Sequence, residues 1–156
     1  MLAWLVMLLL LAAPAPAAAD RPDPGSNPVG VVREWDAALN AHDTQAAMAL
    51  MAVGAAVQAD RAPQEPDQVR GWIEQLIREN VQVDLIGSPQ VDSTVSARFG
   101  AATNVTWHAR LSMERFRLSG APSVDATLGA VVVDSRLALL SLRPDPAWAE
   151  LLVQPQ

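Results

Sequence analysis

The sequence predicts an α+β domain in which N-terminal helices pack on a curved, mainly antiparallel sheet. Three observations carry that expectation. Apolar residues recur at three- and four-residue steps between Val29 and Ile77, the period changes to two after Asn80, and turn residues punctuate the chain between these stretches.

Val29, Val32, Trp35 and Leu39 place one apolar stripe on a first helix, with Arg33, Glu34 and Asp36 assigned to its polar side. Asn40-Ala41-His42-Asp43 interrupts it. Asp43 is suited to cap a second short helix, Thr44 to Met51, by accepting amide hydrogens of the first turn. Val53 to Ala59 reads as extended, and a loop with Pro63 and Pro66 leads to Asp67, a second expected cap. The third helix then spans Gln68 to Glu79, with Val69, Trp72, Ile73, Leu76 and Ile77 on one face.

Val81, Val83 and Leu85 alternate with polar residues as a first half-buried strand, and a second is expected within Val91 to Phe99, followed by a Gly-Ala-Ala-Thr-Asn loop. The clearest strand runs from Val105 to about Arg117. Val105, Trp107, Ala109, Leu111 and Met113 share its inner face, while Phe116 and Leu118 break the parity, which marks a bulge or the strand end. Val124 to Val133 and Leu137 to Leu142 form a last pair joined by Asp134-Ser135-Arg136. Pro144 and Pro146 stop the sheet, and Ala147 to Val153 is expected to add one helical turn, with Trp148 packing back.

Ahead of this domain, Met1 to Ala19 has no charged side chain and carries an apolar block from Leu2 to Ala13 that ends in Ala17-Ala18-Ala19. That layout is a signal peptide, too short to cross a bilayer comfortably, with cleavage after Ala19 and an extracytoplasmic destination, secreted or in the cell envelope. A retained N-terminal anchor is the alternative, since the segment lacks Lys and Arg. Residues 20–28 form a Pro-rich linker, residues 29–156 the domain, and no stable membrane span is expected once the leader is removed.

The formal net charge is −6, which argues against a general nucleic-acid partner. Cys, Lys and Tyr are all absent, so thiolate nucleophiles, Schiff bases and phenolic donors are excluded, and the fold must rest on its core rather than on disulfides.

The strings Trp35-Asp36-Ala37-Ala38-Leu39-Asn40-Ala41-His42-Asp43, Val69 to Ile77, Val105 to Arg117, and Val131-Val132-Val133-Asp134-Ser135-Arg136-Leu137 leading to Leu142 resemble the NTF2-like superfamily, particularly its SnoaL-like branch. The resemblance spans nearly all of residues 29 to 145. It implies a cone-shaped fold enclosing a pocket that different members use for isomerisation, dehydration, cyclisation, ligand binding or dimerisation. Fold alone does not choose among these.

Ketosteroid isomerase chemistry on such a fold needs an Asp base with a Tyr and a protonated Asp, and this chain has no Tyr. No family catalytic residue is carried over. Expected pocket-lining residues are Trp35, Leu39, Trp72, Leu76, Trp107, Ala109, Leu111 and Met113, with core filling as the plainer role for some of the tryptophans. Asp36, His108 and Glu114 are the only candidate acid/base groups. Parity places His108 on the outer strand face, helical periodicity places Asp36 in solvent, and His42 belongs to a turn. No spacing suggests a metal site or a cofactor, and no Ser lies in a Gly-x-Ser-x-Gly elbow. Asn104-Val105-Thr106 matches a glycosylation sequon.

The expected function is therefore an exported module that binds a small apolar ligand or a protein partner without catalysis. The alternatives are a SnoaL-like acid/base enzyme of isomerase or cyclase type, and a structural homodimer formed through the sheet face. In the last case the positive excess of Arg98, Arg110, Arg115 and Arg117 would meet an acidic surface.

Overall fold

The computed structural model of the protein describes residues 27–59, 62–64, 66–96 and 100–145. The expected leader, most of the linker, Arg98 and the terminal helical turn lie outside the described residues.

Helix α1 (Pro28–Asn40) starts where Asn27 accepts a hydrogen bond from the Gly30 amide and Pro28 occupies the first turn, where a missing N–H costs nothing. Helix α2 (Thr44–Ala49) is capped as expected by Asp43, whose Oδ1 accepts from the Ala46 amide at 2.9 Å. It ends earlier than expected, because Met51 already belongs to strand β1 (Met51–Ala59). A short β2 (Ala62–Gln64) folds back antiparallel on β1. Helix α3 (Val69–Arg78) buries Val69, Ile73 and Leu76. The expected cap at Asp67 is displaced: Gln68, in right-handed helical conformation, occupies the cap position and its side chain makes no capping bond.

The middle of the chain differs most from expectation. The two expected strands are one, β3 (Gln82–Ser96), which continues through a register shift between Ile86 and Gln90 where Gly87 takes a positive φ of 76°. The expected Gly-Ala-Ala-Thr-Asn loop is the first part of β4 (Gly100–Ser112), so β3 and β4 pair over most of their lengths. Strand β4 does not reach Arg117. The broken parity marks its end, after which α4 (Glu114–Leu118) buries Phe116. Helix α4 is tied to the end of α3, since the Glu114 amide donates to the Glu79 carbonyl at 2.8 Å and Arg115 pairs with the Glu79 carboxylate.

Strands β5 (Val124–Val133) and β6 (Arg136–Pro144) are joined by Asp134 and Ser135, both in the left-handed region, the conformation of a two-residue hairpin turn. The sheet order is β2-β1-β6-β5-β4-β3, antiparallel except for the β1–β6 pair. Along β5 every second residue is buried, and with the inner residues of β4 these form a single core beneath α1 and α3. Helices thus cover one face of a mainly antiparallel sheet.

One side chain fastens that layer. Asn40, the last residue of α1, acts as a surrogate strand neighbour: its Oδ1 accepts from the Val83 amide at 2.7 Å and its Nδ2 donates to the Val83 carbonyl at 2.9 Å. Replacing Asn40 by Ala strands both backbone groups, so a loss of about 1–3 kcal/mol is expected in chemical denaturation. A loss below a few tenths would mean that water takes over both bonds.

Candidate functional site

Helix α1 buries Val31, Val32, Trp35, Asp36, Ala38 and Leu39, a broader arc than the four-residue stripe read from the sequence. The arc is broad because α1 is flanked by α2 and α3 while it lies on β3, β4, β5 and β6. This overturns the solvated assignment of Asp36, which is only 6 % exposed and is the one buried polar or charged residue among those described. A signal for this is present in the sequence. At about 100° per residue, Asp36 falls between Val29 and Val32 around the helix axis, inside the apolar sector. Its polarity, not its position, is what assigns it to the outside.

Burial pushes the Asp36 carboxyl from its ordinary 3.8 up to about 7, and the indole N–H of Trp107 beside it opposes the shift. The two groups stop short of a hydrogen bond: Asp36 Oδ1 and Trp107 Nε1 are both buried without a partner, as is Trp35 Nε1. Such buried, unpaired groups are uncommon in native proteins and call for an explanation.

The other expected lining residues join this region. Trp35, Leu39, Leu76, Trp107, Ala109, Leu111 and Met113 are all buried in one cluster, and Trp72 packs against it partly exposed. Trp35 and Trp72 stack with ring centroids 6.4 Å apart and planes 8° from parallel, which links α1 to α3. Burial of this kind is common to a filled core and to a closed pocket.

The remaining acid/base candidates do not converge on Asp36. His108 lies on the outer sheet face, its Nδ1 3.2 Å from Thr127 Oγ1, as parity predicts. Glu114 is exposed at the start of α4 and pairs with Arg117. His42 is exposed in the turn after α1, with a φ of 56° and its Nε2 3.4 Å from Gln82 Nε2. Among the described residues no group of three or more His, Cys, Asp or Glu is placed to hold a metal ion, and no helix is long and apolar enough to cross a membrane.

The expected positive surface is altered too. Arg110 makes a two-pronged pair with Asp125, Arg115 pairs with Glu79 and Arg117 with Glu114, so these three charges are met within the chain. Among the described residues, two clefts lie away from Asp36. One of about 550 Å³ runs between α1 and α2 over Ala37, Ala41 and Ala46, with Glu34 and Asp43 at its rim. The other, of about 270 Å³, sits on the outer sheet face around Thr106, Gly129, Val131 and Ser141.

No protein-family model and no curated protein matches the sequence at a significant level. Solved structures do match the fold. An NTF2-like protein of unknown function from Cytophaga hutchinsonii superposes with a TM-score of 0.55 at 12% identity, over 77% of this chain and 91% of that one. A candidate polyketide cyclase from Sinorhizobium meliloti gives 0.53 at 21% identity, over 72% and 93%. The Orange Carotenoid Protein of Anabaena, solved binding canthaxanthin, gives 0.59 at 14% identity, over 80% of this chain but 38% of that one. The chain has the NTF2-like fold, with helices packed on a curved, mainly antiparallel sheet.

Proposed function

We propose that this is an exported binding module whose interior, between α1, α3 and the sheet, takes a small and largely apolar molecule without transforming it. The observation that carries the reading is Asp36. A carboxyl and two indole N–H groups lie buried and unpaired in an otherwise apolar interior, and a ligand with an apolar body and a polar end would satisfy both environments. The carotenoid-binding neighbour supports the use of this fold for such molecules.

Entry requires movement, because the unpaired atoms are sealed from solvent. Helix α3 is the natural door. It meets α1, α2 and β1 at few points, and Trp72, its link to Trp35, is only partly buried.

Acid/base catalysis is the second reading, favoured by a carboxyl raised to about 7 that is poised to exchange a proton near neutrality. It ranks lower because His108 and Glu114 point away, leaving Asp36 without a complementary acid or base among the described residues.

Native mass spectrometry of protein recovered from the envelope or medium of producing cells tests the proposal. The expected result is a chain beginning at Asp20 with a bound small molecule. A chain still beginning at Met1 would overturn export with cleavage, and protein that stays empty even after exposure to apolar extracts would overturn the binding reading.

A further inference from the structure

Asp36 and Trp107 carry complementary hydrogen-bonding capacity that neither uses. An ionised carboxyl accepts, a protonated one also donates, and an indole N–H only donates. The two side chains lie next to each other, yet Oδ1 of one and Nε1 of the other are unpaired. Asp36 is 6 % exposed and Trp107 is 1 % exposed, so bulk solvent does not reach the pair.

Among the described residues no charge competes for the carboxyl. Burial and the Trp107 indole are what set its proton affinity. On the elements around it, Asp84 and Arg110 are exposed, Arg110 is taken by Asp125 on the outer face, and Arg136 donates to the Ala49 carbonyl at the end of α2. On α1 itself, Arg33 is exposed and Glu34 borders the cleft toward α2. His108 and Arg143 are exposed, and on α3 Arg70 pairs with Glu74.

We propose that the ligand's polar end is a hydroxyl, making the ligand class an alcohol or phenol on an otherwise apolar body, held between Asp36 and the indole N–H of Trp107. This rests on the binding reading above and names its chemistry. A hydroxyl oxygen accepts from the indole while its hydrogen goes to the carboxylate. When Asp36 is protonated the hydroxyl still has a role, because its second lone pair accepts the carboxyl hydrogen. Other polar ends fit less well. A ligand carboxylate brings a like charge beside Asp36 in an apolar setting. An ammonium donates only, so the indole stays unpaired. A carbonyl or ether accepts from the indole and from a protonated Asp36 but leaves an ionised Asp36 with nothing to accept, whereas a hydroxyl serves both protonation states. Leaving a buried polar group unpaired is what gives such a site its discrimination between analogues.

The test uses two probes of nearly equal shape, 2-naphthol and 2-methylnaphthalene, titrated by ligand-observed NMR into the chain from Asp20 to Gln156, and into Asp36→Leu and Trp107→Phe variants checked for folding by circular dichroism. Wild type is expected to hold 2-naphthol at least about tenfold more tightly than the methyl analogue. Each variant is expected to lose most of that preference while still binding 2-methylnaphthalene. Equal affinity of the two probes for wild type would overturn the hydroxyl assignment, meaning that at most a buried water completes the pair, and would leave the binding reading standing. A preference that survives both substitutions would also overturn it, since the hydroxyl would then be read elsewhere. Failure of both probes to bind wild type would overturn the binding reading itself. The wild-type comparison remains decisive against the assignment even where a variant does not fold.

Discussion

Replacing Asp36 by Asn is expected to stabilise the protein by up to about 4 kcal/mol near pH 8.5 and to change little near pH 4. Burial raises the folded-state value from 3.8 to about 7, against the milder opposing effect of Trp107. A carboxyl whose folded value is raised favours the folded state when protonated. Its stabilising effect is therefore fully present below about 3.8, falls as pH rises toward about 7, and is gone above that. Across that window the unfolded chain has released the proton while the folded chain still holds it. Asparagine has nearly the same shape and never ionises, so it escapes the loss. The carboxylates paired with Arg110, Arg115 and Arg117 titrate in both proteins and cancel in the comparison. Urea midpoints at the two pH values check this. Parallel pH dependences for wild type and the Asp36→Asn variant would show that the folded carboxyl reaches water, which would also weaken the ligand argument built on its isolation.

The same residue shows where sequence reading works and where it stops. Periodicity located α1 and α3 and the inner face of β4, because burial on one side imposes its period on the composition directly: Val105, Trp107, Ala109 and Leu111 alternate with Thr106, His108 and Arg110. Turn chemistry located the β5–β6 hairpin at Asp134 and Ser135. The expected strands at residues 81–85 and within residues 91–99 are one, since a bulge between Ile86 and Gln90 absorbs the intervening residues while β4 supplies pairing on both sides. Helix α4 spans only Glu114–Leu118, too short to show a helical period. Asn40 is out of reach for another reason: it owes its role to Val83, far along the chain, and local pattern carries no record of such a partner. The burial of Asp36 is legible in its angular position on α1, but its charged side chain points the reading outward.

Trp35→Ala is expected to cost about 3–5 kcal/mol, the range for deleting a fully buried Trp. Trp35 is 2 % exposed within the core cluster, so the deletion leaves a cavity that neither α1 nor the sheet can close without breaking other contacts, including the Asn40 bridge to Val83. Trp72→Ala should cost much less, about 1–2 kcal/mol, because Trp72 is only partly buried and its loss mainly frees α3. The two rings stack, so the double variant should lose less than the sum of the single losses by about 0.5–1.5 kcal/mol. The cycle, read by thermal and urea unfolding, bears directly on how a ligand enters. If α3 is the door, Trp72→Ala weakens its latch and should speed both entry and release of 2-naphthol with little change in the preference over 2-methylnaphthalene. A Trp72→Ala loss as large as that of Trp35→Ala would instead make α3 an integral part of the core, and the route to Asp36 would have to open elsewhere.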